Sequence, residues 1–256
     1  MPKPPLRLQT TTLWDYPSGH YKRSMEPKKP YEGATPAYII WNLLSRYTKP
    51  KDLIVDPMCG SGTTIDVARD LKRRALGYDI NPVRKDIFRA DARKLPLEDE
   101  KADFVFIDPP YSDHIKYSGL KECIGELNAQ SKAYYQAMHS VIKEIYRILH
   151  HDRYMALYVS DSYKKNKPFI PIGFRLFSIL NELFTPIDII AVTRHNVSMY
   201  RTDWHKASVE HNYFLRGFNY LFIMYKPSVK RKEHGVPDRR DIMEKEKQIK
   251  DLIHMP

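Results

Sequence analysis

Hydrophobic and polar residues follow two alternating patterns along most of this chain. Short runs of consecutive apolar residues are typical of strands buried on both faces, whereas apolar residues three or four positions apart are typical of one face of a helix. The first pattern predicts strands at residues 53–56, 75–79, 104–108, 154–160, 187–192 and 220–225, with a shorter segment at 88–92. The second pattern predicts helices at residues 36–47, 63–71, 134–149 and 174–183. Strands that alternate with helices indicate βαβ units and a mostly parallel sheet with helices on both faces.

The two ends of the chain depart from this pattern and suggest domain boundaries. Residues 1–34 are rich in Pro, Lys and aromatic residues and are predicted to form an arm, which either packs on the core through its aromatic rings or contacts a ligand. Residues 35–227 are predicted to form one α/β domain, in which Thr35 caps the first helix and Pro36 is its first residue. Residues 228–256 are highly charged, which predicts a solvated helix or disorder, or alternatively a tail with affinity for nucleic acid.

The charge balance adds a class of partner to this picture. The chain carries 42 Lys and Arg against 31 Asp and Glu, a net charge of +11. This balance suits nucleic acid, which basic residues contact through its phosphates, although a basic protein without such a partner has the same balance. Cys59 and Cys123 give no disulfide framework and no zinc-ligand spacing, so we expect a cytoplasmic protein without a metal. No apolar run reaches the roughly 18 residues of a membrane span.

A glycine-rich segment follows the first strand of the predicted sheet. Residues 56–64 read Asp-Pro-Met-Cys-Gly-Ser-Gly-Thr-Thr and join that strand to a helix. Glycine lets the backbone turn sharply and lets a ligand approach closely, and the helix beyond it offers free N–H groups. The spacing is wrong for a dinucleotide fingerprint, and the Gly-Lys-Ser/Thr triplet of a phosphate-binding Walker loop is missing. The segment therefore indicates a different ligand, or a tight turn without one.

Two acidic residues follow the next strands. Asp79 comes about 20 residues after the glycine-rich segment, where a carboxylate can accept hydrogen bonds from ribose hydroxyls. Asp91, followed by Ala92, lies at the expected end of a third strand, where it could accept a hydrogen bond from an adenine amino group. Solvated aspartates at strand ends are common, so each residue supports a nucleoside site only in combination with the other motifs.

A second motif, Asp108-Pro109-Pro110-Tyr111, follows the most apolar strand of the chain. The two prolines form a rigid turn without N–H donors and hold the neighbouring carbonyls and side chains in place. An acceptor side chain and a fixed carbonyl together can grip both N–H bonds of an amino group, and Tyr111 offers a face on which an extruded base can stack. As a lone tetrapeptide the segment could be a β-turn, but its position relative to the glycine-rich segment favours an active site.

Together, the two motifs resemble those of the amino-methyltransferase family, which methylates N6 of adenine or N4 of cytosine with S-adenosylmethionine. The resemblance implies a Rossmann-like, seven-stranded, mostly parallel sheet with helices on both faces, the class I methyltransferase fold. It implies that the target base is bound by Asp108, Pro109, Pro110 and Tyr111. It implies that the cofactor is bound by Thr35, Pro36, Asp56, Cys59, Gly60, Ser61, Gly62, Thr63, Asp79, Asp91 and Ala92.

The chain departs from the family pattern in ways that bear on its substrate. Met58 stands where the family usually has Phe, and no separate target-recognition domain is visible. Basic and aromatic residues mix in a predicted loop at 194–216, which suits phosphate contacts and base stacking, although a packed edge loop has the same composition. The residues of this loop that we expect to bind substrate are Arg194, His195, Arg201 and Trp204. A metal site at its histidines is disfavoured because no ligand spacing is present.

Several alternatives remain open from the sequence. DNA is favoured as the substrate, with structured RNA as the alternative, and the missing recognition domain also allows a recognition partner beside a monomer or homodimer. Transfer to cytosine carbon 5 would need a cysteine nucleophile, usually after a proline, and neither cysteine follows one. A protein glutamine methyltransferase would have Asn at position 108, and a catalytically dead binding subunit would have lost the motifs. Asp108 favours adenine over cytosine.

Overall fold

The computed structural model describes residues 7–15, 34–111, 117–162, 169–195 and 201–228. The strands in this part of the chain are β1 (Leu13–Trp14), β2 (Leu53–Asp56), β3 (Arg74–Asp79), β4 (Ile87–Arg89), β5 (Ala102–Ile107), β6 (Leu149–Val159), β7 (Thr185–Thr193) and β8 (Phe218–Lys226). The helices are α1 (Ala37–Tyr47), α2 (Thr63–Asp70), α3 (Lys132–Ile148), α4 (Ile172–Asn181) and α5 (Thr202–Glu210), with a short 3₁₀ helix at Ile124–Glu126.

All the described strands form one mixed sheet in the order β1-β7-β8-β6-β5-β2-β3-β4. Strand β8 runs antiparallel to both β6 and β7, and the other neighbours are parallel. The predicted α/β fold is confirmed, but the sheet has eight strands in the described residues rather than seven. The extra strand comes from the arm, because Leu13 and Trp14 pair with Ala191 and Val192 of β7.

Helices cover the sheet on both faces and bury one apolar cluster on each. On one face, residues of α1 and α2 such as Ile40 and Val67 pack on Phe104 of β5. On the other face, residues of α3 and α4 such as Val141 and Leu176 pack on the opposite side of the same strands. The arm joins the first cluster through Trp14, which is 4% exposed. The interpretation that aromatic residues pack the arm on the core thus holds at Trp14, while residues 16–33 lie outside the described part.

Three local predictions need correction or a shift. The Thr35 cap is wrong: helix α1 starts at Ala37 with Pro36 at its N-cap, and no side chain caps it. Helix α3 starts two residues earlier than predicted, because Ser131 accepts a hydrogen bond from the Tyr134 N–H and caps it. The loop predicted at 194–216 contains helix α5. The charged tail, apart from residue 228, lies outside the described residues.

The sheet directs one set of loops towards the candidate site. Strands β2, β3 and β5 are mutually parallel neighbours, so their carboxyl ends meet at one edge. Asp56 and Asp79 are the last residues of β2 and β3, and Asp108 follows β5 directly. In open α/β sheets this edge is where ligands bind. No helix in the described residues is long and apolar enough to cross a membrane.

Candidate active site

A cavity of about 450 Å³ opens at the carboxyl ends of these strands. Its volume falls within the range of about 300 to 1,000 Å³ that is typical of small-molecule sites. The structure brings most of the expected residues together in its wall: Thr35, Asp56, Cys59, Gly60, Ser61, Thr63, Asp79, Asp91, Ala92, Asp108, Pro109, Pro110 and Tyr111. Pro36 and Gly62 do not line the cavity; each is the N-cap of a helix, α1 and α2 respectively.

Asp56 holds the glycine-rich segment in its shape. One carboxyl oxygen accepts the Met58 N–H at 3.1 Å, and the other accepts the Thr64 hydroxyl at 2.6 Å, which ties the turn to the first residues of α2. Burial raises the pKa of Asp56 to about 7, against the lowering effect of these two hydrogen bonds. Asp56 thus positions the loop rather than presenting a free carboxylate to a ligand.

The loop also depends on an arginine behind it. Gly62 has a φ of +86°, and a Cβ on it would lie 2.5 Å from Nη1 of Arg84. That guanidinium donates to the Ser61 carbonyl at 3.1 Å and forms an ion pair with Asp66 of α2 at 2.7 Å. The missing side chain of Gly62 therefore lets Arg84 clamp the loop to the helix.

The carboxylates of Asp79 and Asp91 accept hydrogen bonds from different groups of the protein. Asp79 accepts the N–H groups of Gly60 and Asn81, each at 2.9 Å, which orients its carboxylate at the cavity wall. Asp91 accepts several hydrogen bonds from Arg93: Nη2 donates to Oδ2 at 2.6 Å, and the backbone N–H and Nε donate to Oδ1. Although burial opposes it, these contacts lower the pKa of Asp91. Asp91 is therefore a charged acceptor with part of its hydrogen-bonding capacity already in use.

Asp108 lies in the cavity wall near the N-terminus of α1. The Thr35 hydroxyl donates to its Oδ2 at 2.5 Å, the contact that replaces the helix cap expected for Thr35. Burial raises the pKa of Asp108 to about 7; the Thr35 hydrogen bond lowers it and the charge of Asp56 raises it. The carboxyl group therefore changes its protonation state close to neutral pH.

Tyr111 and Cys59 are kept neutral by their surroundings. Burial, with the neighbouring charge of Asp108, raises the pKa of the Tyr111 phenol well above its usual range, so its ring stays an uncharged surface. Burial also raises the pKa of Cys59, whose Sγ would lie 2.5 Å from a Cβ at Gly77. Cys59 is thus a packed, protonated thiol, which does not favour a role as a cysteine nucleophile.

The expected substrate residues lie outside the cavity wall. Arg194 donates to the Ser160 hydroxyl at 3.1 Å, and its charge partly offsets the burial that raises the pKa of Tyr111. His195 lies 2.5 Å from Asp15 of the arm. Arg201 pairs with Asp203 at 2.6 Å and lies 5.8 Å from the ring centre of Trp204, at the start of α5. The structure therefore brings only Arg194 close to the Asp-Pro-Pro-Tyr motif.

Part of the cavity wall was not predicted. Ile80 and Val83 follow β3, and Cys123 and Ile124 lie at the start of the 3₁₀ helix, so the wall has an apolar side. Val83 is 58% exposed. No motif marks these residues in the sequence; the position of Ile80 and Val83 just after Asp79 is the only signal that points to them.

The cavity fits the cofactor that the motifs imply. The glycine-rich loop and the Asp79 carboxylate offer polar contacts for an amino-acid chain and a ribose, and Ile80, Val83 and Ile124 offer an apolar wall for a purine ring. This combination of a few convergent polar groups with an apolar wall is usual for nucleotide-like ligands.

Comparison with known proteins gives the family. The model of the DNA methylase family (N6_N4_Mtase) matches residues 4–90 and 102–254, which is most of the chain. The chain belongs to this family, and this places it among the S-adenosylmethionine-dependent N-methyltransferases. No curated protein gives a significant match to the sequence.

Solved structures with the same fold are distant in sequence. TrmN from Thermus thermophilus is 16% identical with a TM-score of 0.50, and the match covers 76% of this chain but only 50% of TrmN. The [4+2]-cyclase SpnF is 15% identical with a TM-score of 0.48 over 75% of this chain and 81% of SpnF. A geranyl diphosphate C-methyltransferase from Streptomyces coelicolor A3(2), bound to S-adenosyl-L-homocysteine, is 13% identical with a TM-score of 0.47 over 74% and 78%. These similarities concern the fold.

Proposed function

We propose that this protein transfers a methyl group from S-adenosylmethionine to the exocyclic amino nitrogen of adenine or cytosine in nucleic acid, with DNA as the favoured substrate. The observation that carries the proposal is Asp108, a carboxyl with a pKa of about 7 in the wall of the same cavity as the glycine-rich loop. The family's description as DNA methylase supports the choice of DNA over RNA.

The residues around Asp108 suit an amino group. The ionised carboxylate accepts one N–H of the base, and the carbonyl of Pro109 is held in place to accept the other, because the two prolines fix the turn. When bound, S-adenosylmethionine supplies an electrophilic methyl group on a positively charged sulfur. As the nitrogen gains that methyl group it loses one proton, and Asp108 is poised to receive it since its pKa lies near neutral.

The other residues of the site orient the base and the cofactor and do not take part in the proton transfer. Tyr111 offers a neutral ring on which a base can stack, and Asp56 with Arg84 holds the loop that would bind the methionine part of the cofactor. Proximity and electrostatic positioning of this kind account for most of the rate of such direct transfers.

A pair of aspartate variants tests the proposal. In Asp108→Ala, we expect S-adenosylmethionine to bind as in the wild type, by calorimetry, while label transfer to nucleic acid falls roughly a hundredfold or more. The matched control is Asp99→Ala, since Asp99 is an exposed carboxylate paired with Arg147 outside the cavity. Retained transfer in Asp108→Ala would remove Asp108 from the mechanism.

A further inference from the structure

An exposed group of aromatic rings lies beside the candidate site. Phe214 is 84% exposed, Phe174 56%, Phe169 47% and Phe218 43%. We call these four residues, together with Arg216, the aromatic patch. Large apolar side chains that gather on a surface mark a region that another molecule covers.

Direct contacts join these residues into two groups that adjoin along the chain. The rings of Phe218 and Phe174 lie 5.0 and 5.6 Å from the ring of Tyr220, both edge-on. The Arg216 guanidinium lies 4.9 Å from the ring centre of Phe169 and donates to the Phe214 carbonyl at 3.0 Å. Arg216 is two residues before Phe218, and its charge partly offsets the burial that raises the pKa of Tyr220. The two groups therefore lie next to each other beside Tyr220.

A series of neighbouring residues leads from the aromatic patch to the reacting end of the cavity. The Tyr220 hydroxyl donates to Asp161 at 3.3 Å. Asp161 follows Ser160, whose hydroxyl accepts from Arg194, and the charge of Arg194 partly offsets the burial that raises the pKa of Tyr111. The topology agrees, because Tyr220, near the start of β8, pairs with Val159, the last residue of β6, and β6 is the parallel neighbour of β5. The patch therefore lies at the same sheet edge as Asp108.

The charges near the patch favour an anionic partner. Arg194 and Arg216 are among the residues described above. Arg175 belongs to α4, next to Phe174 of the patch, and lies 5.2 Å from the ring centre of Tyr135. Asp161, a carboxylate in this region, accepts the Gly173 N–H at 3.0 Å and the Tyr220 hydroxyl, and Asp15 lies 2.5 Å from His195. Arginines between exposed rings can contact phosphates while the rings stack on bases.

Stacking of this kind selects one state of nucleic acid. In a duplex the bases are stacked on each other and present only their edges and the phosphates, whereas an unpaired strand offers free base faces. We propose that the aromatic patch binds unpaired nucleotides next to the target base, so that the substrate is a single-stranded or locally unpaired nucleic acid. This inference rests on the proposed function and names its substrate class.

Affinity measurements on surface variants test the inference. A fluorescent oligonucleotide, as a single strand and as a duplex of the same sequence, is titrated with the protein in the presence of S-adenosylhomocysteine. We expect the single strand to bind at least about tenfold more tightly than the duplex. Phe214→Ala and Phe174→Ala are each expected to weaken the binding of the single strand by about tenfold. The control is Phe88→Ala, because Phe88 is 53% exposed on β4, which four strands separate from β8, and this change is expected to leave binding as it is.

The possible results separate this inference from the proposed function. Equal affinity for duplex and single strand, or no loss in the two patch variants, would overturn the inference even if a base is methylated. Loss of self-association in the patch variants with unchanged oligonucleotide binding would assign the surface to a protein partner and also overturn it. Patch-dependent binding of the single strand without any methylated base would keep the surface and reject the proposed function.

Discussion

The carboxyl groups of Asp56 and Asp108 stand at neighbouring strand ends in one cavity and differ in what they accept. Both oxygens of Asp56 are occupied by groups of its own loop and of α2, whereas among the described residues Asp108 accepts a hydrogen bond from Thr35 at one oxygen and lies in the cavity wall. Burial raises the pKa of each to about 7. A group that must accept hydrogen bonds and then a proton benefits from such a pKa, while a structural group does not.

The raised pKa of Asp108 predicts a pH dependence. Only the ionised carboxylate can take up the proton of the amino group, and it is the stronger acceptor for the N–H, so kcat/KM is expected to rise with pH and level off above about pH 7. Because Asp56 titrates in the same range, cofactor affinity is measured across the same pH series to separate its effect. In Asp108→Asn the residual activity should show no rise of this origin. A wild-type profile that is flat from pH 5 to 8 would contradict the assignment.

Thr35 gives a second prediction at the residue scale. Its hydroxyl lowers the pKa of Asp108, so Thr35→Val should raise that pKa and move the rise in kcat/KM to higher pH, by about half a unit to one unit. Thr35→Ser keeps the donor and should restore the wild-type profile. A purely structural role for Thr35 would lower the activity at every pH alike and leave the midpoint of the profile in place.

At the scale of elements, the backbone of the turn from β2 into α2 is restricted both by its conformation and by its neighbours. Gly60 and Gly62 both have positive φ, and Gly62 leaves room for the guanidinium of Arg84. Arg84, in the segment after β3, pairs with Asp66 of α2 and with Asp86 of its own segment. The loop thus takes its shape from Arg84 as well as from the Asp56 and Asp79 carboxylates in the cavity wall.

Two glycine variants separate backbone strain from the loss of this clamp. Gly62→Ala should lower S-adenosylmethionine affinity by about tenfold or more, because the new Cβ displaces Arg84 in addition to the strain of about 1 kcal/mol at positive φ. Gly119→Ala is the matched control: its φ is +69°, but nothing lies within 4 Å of its new Cβ. Both affinities are measured by calorimetry, and equal losses would mean that Arg84 does not hold the loop.

The elements also show which parts of the fold the sequence can predict. Strands such as β5 are buried on both faces, so their apolar runs stand out, and the predicted 104–108 overlaps Ala102–Ile107. Helix α5 was missed because none of its residues is buried, and a helix without an apolar face leaves no periodic signal. Strand β1 has two residues and pairs with a strand far along the chain, which local patterns do not encode.

The residues of the candidate site likewise include some that the sequence can predict and some that it cannot. The motif residues Asp56, Asp79 and Asp108 were predictable because they end strands that meet at one sheet edge. Arg84 and Ile124 were not, since they reach the site only through tertiary contacts. Thr35 lines the cavity, but its predicted role as a helix cap is wrong: its hydroxyl bonds to Asp108, which lies 73 residues further along the chain, rather than to the helix it precedes.

For the molecule as a whole, the sheet of eight described strands places the cavity and the aromatic patch at the carboxyl ends of neighbouring strands. The net charge of +11 suits phosphate contacts, which carry no base selection, while in the proposed function the groups of the cavity select an amino nitrogen. The aromatic patch is the surface that we propose for substrate contact.

The central claim is methyl transfer to an exocyclic amino group of a base. The most direct measurement offers labelled S-adenosylmethionine with single-stranded and duplex DNA, RNA and a protein mixture, and identifies the modified nucleosides or residues by mass spectrometry. We predict N6-methyladenine or N4-methylcytosine, formed in DNA by the wild type and not by Asp108→Ala. The same nucleosides formed only in RNA would keep the chemistry and change the substrate. Label on a ring carbon or on protein glutamine, with none on a base amino group, would contradict the claim.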